Sequence, residues 1–253
     1  MTGFLSAAQR QMLEVMDVQL WELRKPPAVA ERAVPQNAIP ERAIPEITAP
    51  GIPVAETPSK KSQSVSPLGW SELADTVAAC TRCELHQTRT QTVFGVGDPA
   101  ADWMIIGEAP GADEDRQGEP FVGKAGQLLD EMLRAVGLDR SRVFIANILK
   151  CRPPNNRDPK PEEVEACSDF LQQQIAEVKP KLIVAVGRIA AQNLLHSDKP
   201  VGQLRGKVHE VGASRIPVVV TYHPAYLLRS PGQKRKTWDD LCLARATIAG
   251  VKA

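Results

Sequence analysis

Hydrophobic positions divide the chain into three stretches of different rhythm. Between Phe4 and Leu23, the apolar residues Leu5, Ala8, Met12, Val15, Met16, Leu20 and Leu23 recur at helical intervals, with Arg10, Glu14, Asp17, Glu22 and Arg24 among them. That spacing predicts an amphipathic helix over residues 1–25, either capping the main domain or docking a protein partner. Residues 26–67 lose the rhythm: prolines stand at 26, 27, 35, 40, 45, 50, 53, 58 and 67, and "AVPQNAIPERAIPEITAPGIP" repeats loosely. Each proline fixes φ and removes a backbone donor, so this segment predicts an extended, flexible tether.

From residue 68 to 253, short apolar runs alternate with helical patterns. Trp103–Ile106, Val143–Ile148, Leu182–Val186 and Ile216–Tyr222 are β-rich, whereas GQLLDEMLRAVGL, KPEEVEACSDFLQQQIAEV and GRIAAQNLL space their apolar residues as helices do. Strands alternating with helices need crossover connections and a sheet covered on both faces. The fold class is therefore α/β, a three-layer α/β/α sandwich around a mainly parallel four-stranded sheet. In such folds reactive groups gather beyond the carboxyl ends of the strands.

Composition narrows the classes. A hydrophobic share of 43% in 253 residues can build a core and excludes wholesale disorder. Lys and Arg number 31 against 30 Asp and Glu, a net charge of +1, which excludes a histone-like polycation but leaves room for local basic patches. No apolar run approaches a membrane span, and the N-terminus lacks a basic start followed by an apolar block. A cytoplasmic protein that acts as a monomer and does not engage a membrane is expected. Five cysteines are too few for a disulfide scaffold, so a C-x-x-C in a reducing compartment points to metal or redox chemistry.

Three strand ends carry polar chemistry. Gly107-Glu108-Ala109-Pro110-Gly111 follows the first run, Asn147 ends the second with Lys150-Cys151-Arg152 beyond it, and His223-Pro224-Ala225-Tyr226 follows the fourth. Singly, each is the ordinary furniture of a turn. Together, at equivalent places in the topology, a carboxylate, a carboxamide and an imidazole suggest one cleft. Cys80 and Cys83 form the C-x-x-C, and Cys151 and Cys167 are separated by fifteen residues; Cys242 sits apart in a helical pattern. Four cysteinates suit a structural zinc or an iron–sulfur cluster, and spacing alone does not choose.

The segments "GEAPGADEDRQGEPFVGKAGQLLD", "NILKCRPPNNRDP" and "HPAYLLRSP", with the four cysteines, resemble the family 4 uracil-DNA glycosylases over nearly all of residues 68–253. The resemblance implies the uracil-glycosylase α/β/α fold and a 4Fe-4S cluster held by Cys80, Cys83, Cys151 and Cys167. It implies an enzyme that flips uracil out of DNA, hydrolyses the N-glycosidic bond and leaves an abasic site for base-excision repair. Phe121 would stack on the extruded base, with Gly107 and Ala109 shaping the pocket. Asn147 would read uracil N3–H and O4, a pattern that cytosine reverses. His223 would donate to O2 as charge builds on the leaving base. Other uracil glycosylases place an Asp where Ala109 stands, so Glu108 is the candidate for orienting water, and Glu114 for lining the pocket near C5. Leu227, Leu228 and Arg229 resemble the family's wedge. Lys150, Arg152, Arg157 and Lys160, with Lys234, Arg235 and Lys236, would contact phosphates of single- or double-stranded DNA. The competing reading from another class is a non-catalytic iron–sulfur DNA-binding or redox module. A crosslinking relative is disfavoured because CRPPNNRDPKPEE carries no inserted histidine-bearing loop.

Overall fold

The structure, a computed structural model, describes residues 69–250; the expected helix at 1–25 and tether at 26–67 lie outside the described residues. Six strands form one sheet in the order β1-β3-β2-β4-β6-β5: β1 (Val96–Gly97), β2 (Trp103–Gly107), β3 (Val143–Asn147), β4 (Leu182–Val186), β5 (Val208–Val211) and β6 (Ile216–Thr221). The inner four, β3-β2-β4-β6, are parallel, and they are the four apolar runs of the sequence. The expected four-stranded sheet is thus corrected to six, because β1 and β5 add antiparallel edges.

Alternation along the parallel strands sorts their side chains onto two faces. Met104, Ile106, Phe144, Ala146, Ile183, Ala185, Val218 and Val220 face one core with α4 (Pro161–Val178), α5 (Arg188–Leu195) and α6 (Val201–Leu204). Trp103, Ile105, Val143, Ile145, Leu182, Val184 and Val219 face the other with α3 (Lys124–Ala135), α7 (Pro224–Arg229) and α8 (Lys234–Ile248). Helices on both faces make the three layers. Two further helices complete the described chain: α1 (Trp70–Ala78), which precedes the first strand, and the short α2 (Ala112–Gln117), which follows β2.

A third, smaller apolar cluster lies off the sheet. Leu73 and Val77 of α1, Leu85, Leu149 and Phe170 of α4 pack there with Cys151 and Cys167, and Cys80 and Cys83 adjoin it. Helix α1 therefore docks on the main body through the cysteine-bearing segments. Beneath the His223 turn, the Asp240 carboxylate accepts from Thr221 Oγ1 at 2.9 Å and pairs with Arg205 at 2.9 Å, fastening α8 to the end of β6.

Candidate active site

Parallel register places Gly107 directly beside Asn147 at the ends of β2 and β3. Past that point the two loops stay paired, with Ile148 N donating to Gly107 O at 3.0 Å and Leu149 N to Glu108 O at 3.1 Å. A Cβ at position 107 would strike the Asn147 Oδ1 and the Phe121 ring at once, so glycine keeps a gap between them open. Asn147 is only 2% exposed, and its Oδ1 is buried with no hydrogen-bond partner. An orphaned acceptor costs stability unless something else fills it.

Phe121 occupies the left-handed region at φ 56°, unusual for a bulky residue. Three contacts hold it there. Arg140 donates to the carbonyls of Phe121 (3.0 Å) and Pro120 while lying 3.6 Å from the Asp130 carboxylate. Gly126 lets α3 approach so closely that any Cβ would strike the Phe121 carbonyl. Glu114 spans two loops, accepting from Gly111 N at 3.0 Å with one oxygen and from Val122 N at 3.1 Å with the other. Both Glu114 oxygens are thereby used on backbone donors, so this residue shapes the Phe121 loop and offers no free carboxylate.

His223 caps α7. Its Nδ1 accepts from Ala225 N at 3.2 Å, which leaves the ring hydrogen on Nε2. The imidazole stacks against Phe121 with centroids 5.6 Å apart and planes at 29°. Burial pushes its pKa down to about 4, the Arg229 cation reinforcing this and Glu114 opposing it. It is a neutral donor at physiological pH. Gly187, at φ 94° just after β4, gives it room: a Cβ there would lie 3.0 Å from the His223 Cβ. Glu108 is half-buried, and burial raises its pKa; the neighbouring Asp158 carboxylate adds to the rise and the Arg188 guanidinium offsets part of it.

Cys80, Cys83, Cys151 and Cys167 converge although they span much of the chain, and Ala109 packs against the same cluster. Burial raises the thiol pKa of Cys83 and Cys151, and that of Cys167 to about 11. Opposing it, Arg89 donates to Cys151 Sγ at 3.0 Å and Lys150 N to Cys167 Sγ at 3.4 Å. Among the described residues no three His, Cys, Asp or Glu side chains are drawn together as ligands of a single metal ion.

Two DNA-contact expectations, one for a phosphate and one for the wedge, are corrected. Lys150 is 1% exposed, its Nζ donating to Asn147 O at 2.9 Å and Gln174 Oε1 at 2.6 Å, so it cannot reach DNA. Leu227 is buried in the core, which leaves Leu228, 44% exposed, and Arg229 to act as a wedge. Arg157 is engaged by the buried Glu163 carboxylate, closing the loop between Cys151 and Cys167. Arg152 remains at the surface, bonded to Asn156 Oδ1 at 2.7 Å. Sequence reading also missed Arg140, Gly126 and Gly187. Only Gly187 carried a signal, a glycine immediately after a strand, as at Gly107. A cavity of about 1030 Å³ between α4, α5 and the β5–β6 hairpin shares none of these residues.

Fold and site together define an α/β protein whose parallel strands end in an aromatic ring, a buried carboxamide and a neutral imidazole gathered around one gap. The sequence model of the Uracil DNA glycosylase superfamily matches residues 94–243. Similar proteins include the Type-4 uracil-DNA glycosylase of Archaeoglobus fulgidus, 48% identical over 65% of this chain and 85% of that protein. Those of Thermotoga maritima (44%, over 70% and 93%) and Pyrobaculum aerophilum (43%, over 68% and 91%) are also similar. The chain belongs to the uracil DNA glycosylase superfamily.

Proposed function

We infer that this protein is a uracil-DNA glycosylase, an N-glycosyl hydrolase that removes uracil from DNA and leaves an abasic site for base-excision repair. The observation that carries the reading is the unpartnered, buried Asn147 Oδ1 facing the gap kept by Gly107, beside the Phe121 ring. A base swung out of the helix can enter that gap and stack on Phe121. Asn147 Oδ1 accepts from uracil N3–H while its amide group donates to O4; cytosine, with an acceptor at N3 and a donor at C4, meets the opposite pattern. A site built this way rejects the wrong base because buried polar groups would be left unpaired.

Cleavage of the C1′–N1 bond sends an electron pair to the base. The Nε2–H of His223 donates to O2 as that charge develops, and because the imidazole is already neutral it needs no proton gain or loss to do so. Water then adds to the electron-poor sugar carbon. Glu108, half-buried at the rim with a raised pKa, orients that water. Leu228 fills the space vacated by the base, while Arg229 and Arg152 meet phosphates.

The donor set fits a 4Fe-4S cluster: four cysteines from separate elements gather at one small apolar cluster, and Arg89 already bonds the Cys151 sulfur. Cys80, Cys83, Cys151 and Cys167 would hold it, and its chemistry there is structural and redox. A cytoplasmic setting keeps these thiols reduced.

The test is a uracil-containing oligonucleotide incubated with protein, then cleaved by alkali at abasic sites. Wild type should give scission, and Asn147→Ala and His223→Ala, folded by circular dichroism, should each lose about a hundredfold or more in kcat/KM. Binding without scission by the wild type would favour the non-catalytic module instead.

A further inference from the structure

Lys150 is the least accessible cation of the described chain's core, at 1% exposure, yet neither acceptor of its ammonium is charged: one is Asn147 O and the other Gln174 Oε1. No carboxylate pairs with it among the described residues. Burying an unpaired ammonium costs several kcal/mol, and an apolar side chain of similar length would fill the space without that cost. A purely architectural role does not explain the charge. Two neighbours do. The backbone N–H of Lys150 donates to Cys167 Sγ, and Cys151 follows it in the chain, so the residue lies against the four-cysteine centre. Its Nζ ends on the backbone of Asn147, the residue whose carboxamide faces the gap. Gln174 steadies the arrangement by donating its own Nε2 to Phe94 O at 2.9 Å.

We propose that Lys150 is a positioning residue that couples the cysteine centre to base recognition: its backbone N–H holds the Cys167 sulfur, its ammonium offsets the charge of that one thiolate and, through Asn147 O, fixes the residue that reads the base. The inference rests on the uracil-glycosylase and 4Fe-4S reading above. The ammonium lies within electrostatic reach of Cys167, where it favours the thiolate, and the low dielectric there strengthens the effect, while Arg89 serves Cys151. The same ammonium makes a charge-assisted hydrogen bond to the peptide carbonyl of Asn147, which limits how far the end of β3 can shift when a base arrives.

The experiment uses the iron-loaded full chain as wild type, Lys150→Met and Lys150→Arg. Wild-type iron and sulfide content and uracil release come first; their failure sinks the underlying reading and leaves the role of Lys150 a separate matter. With those in place, two quantities are read: inhibition by free uracil, and the midpoint potential of the bound cluster by voltammetry. Lys150→Met should weaken uracil inhibition about tenfold or more, the scale of one lost charge-assisted hydrogen bond. It should also move the potential to more negative values, because the more electron-rich state loses its cation. Lys150→Arg, which keeps the charge, should hold the potential near wild type. Either quantity unmoved in Lys150→Met, or a potential in Lys150→Arg that follows Lys150→Met, overturns the proposal. If Lys150→Met fails to take up iron, Gln174→Leu decides: it removes one of the two acceptors that aim the ammonium at Asn147 O without touching a thiol, and should weaken uracil inhibition several-fold. Unchanged uracil inhibition there overturns the proposal as well.

Discussion

Protonating His223 would place a cation in a buried site next to Arg229, and this sets the acid behaviour of both the reaction and the fold. The native imidazole titrates near about 4 against an ordinary value of 6.5. The unfolded chain therefore takes up the proton first, so His223 costs no stability above about 6.5 and progressively destabilises the fold as pH falls toward about 4. The acid limb of kcat/KM assigned to His223 should likewise lie near about 4, and Arg229→Met should move it upward by removing the neighbouring positive charge. NMR titration of the His223 ring checks both; a native value near 6.5 would contradict the environment described. At this scale the sequence disclosed the reacting groups but not their supports. Asn147 and His223 stand out because they follow apolar runs. Lys150 reads as a surface cation because it sits in a basic, proline-rich stretch, and only the folded chain shows its side chain turned back along β3. Arg140 lies nineteen residues from Phe121, with no motif linking them.

Elements carry the next level of control. The four inner strands were legible because each is buried on both faces and so reads as an unbroken apolar run. The edge strands were not: β1 has two residues, and in β5 exposed and half-buried positions alternate, a pattern that short polar loops share. The Phe121 loop depends on the Arg140 guanidinium and on the bare Gly126 in α3. Arg140→Met should free the left-handed Phe121 to relax, raising KM for single-stranded uracil DNA about tenfold with a smaller change in kcat, since the imidazole and carboxamide stay in place. Steady-state kinetics with circular dichroism as a folding control tests this, and an unchanged KM would show that the loop holds itself. Helix α7 makes a different claim. Leu227 anchors it in the core while Leu228 projects outward, so Leu228→Ala should slow uracil release from duplex DNA several-fold more than from single strands. Equal losses on the two substrates would remove the wedge role.

At the scale of the whole molecule, the sheet and its two helical layers form one body on which the site is mounted, whereas α1 is attached by Trp70 against Phe94 and Phe144 at one end and by Leu73 and Val77 in the small cluster around the cysteines. That arrangement separates two kinds of stability. The sheet cores are apolar side chains packed on both faces, but the side cluster brings four thiols together, and burial alone makes thiolates there unfavourable. Chelating the metal should therefore leave the far-ultraviolet signal of the sheet largely intact while loosening the attachment of residues 70–92. Limited proteolysis, with cleavage sites read by mass spectrometry, should cut the iron-free protein first in that region and the loaded protein far more slowly. Equal cleavage patterns would mean that the apolar contacts of Leu73 and Val77 hold α1 unaided.

The cysteine pairs also connect parts of the chain made at different times: by the time Cys167 is synthesised, Cys80 has long since emerged. In the proposed 4Fe-4S form, the loop that follows the reading amide is therefore closed only once Cys167, the last ligand, has been made. For a protein so held, nutrient iron, and not only the abundance of the polypeptide, would set how much of the newly made chain has its first helix locked down.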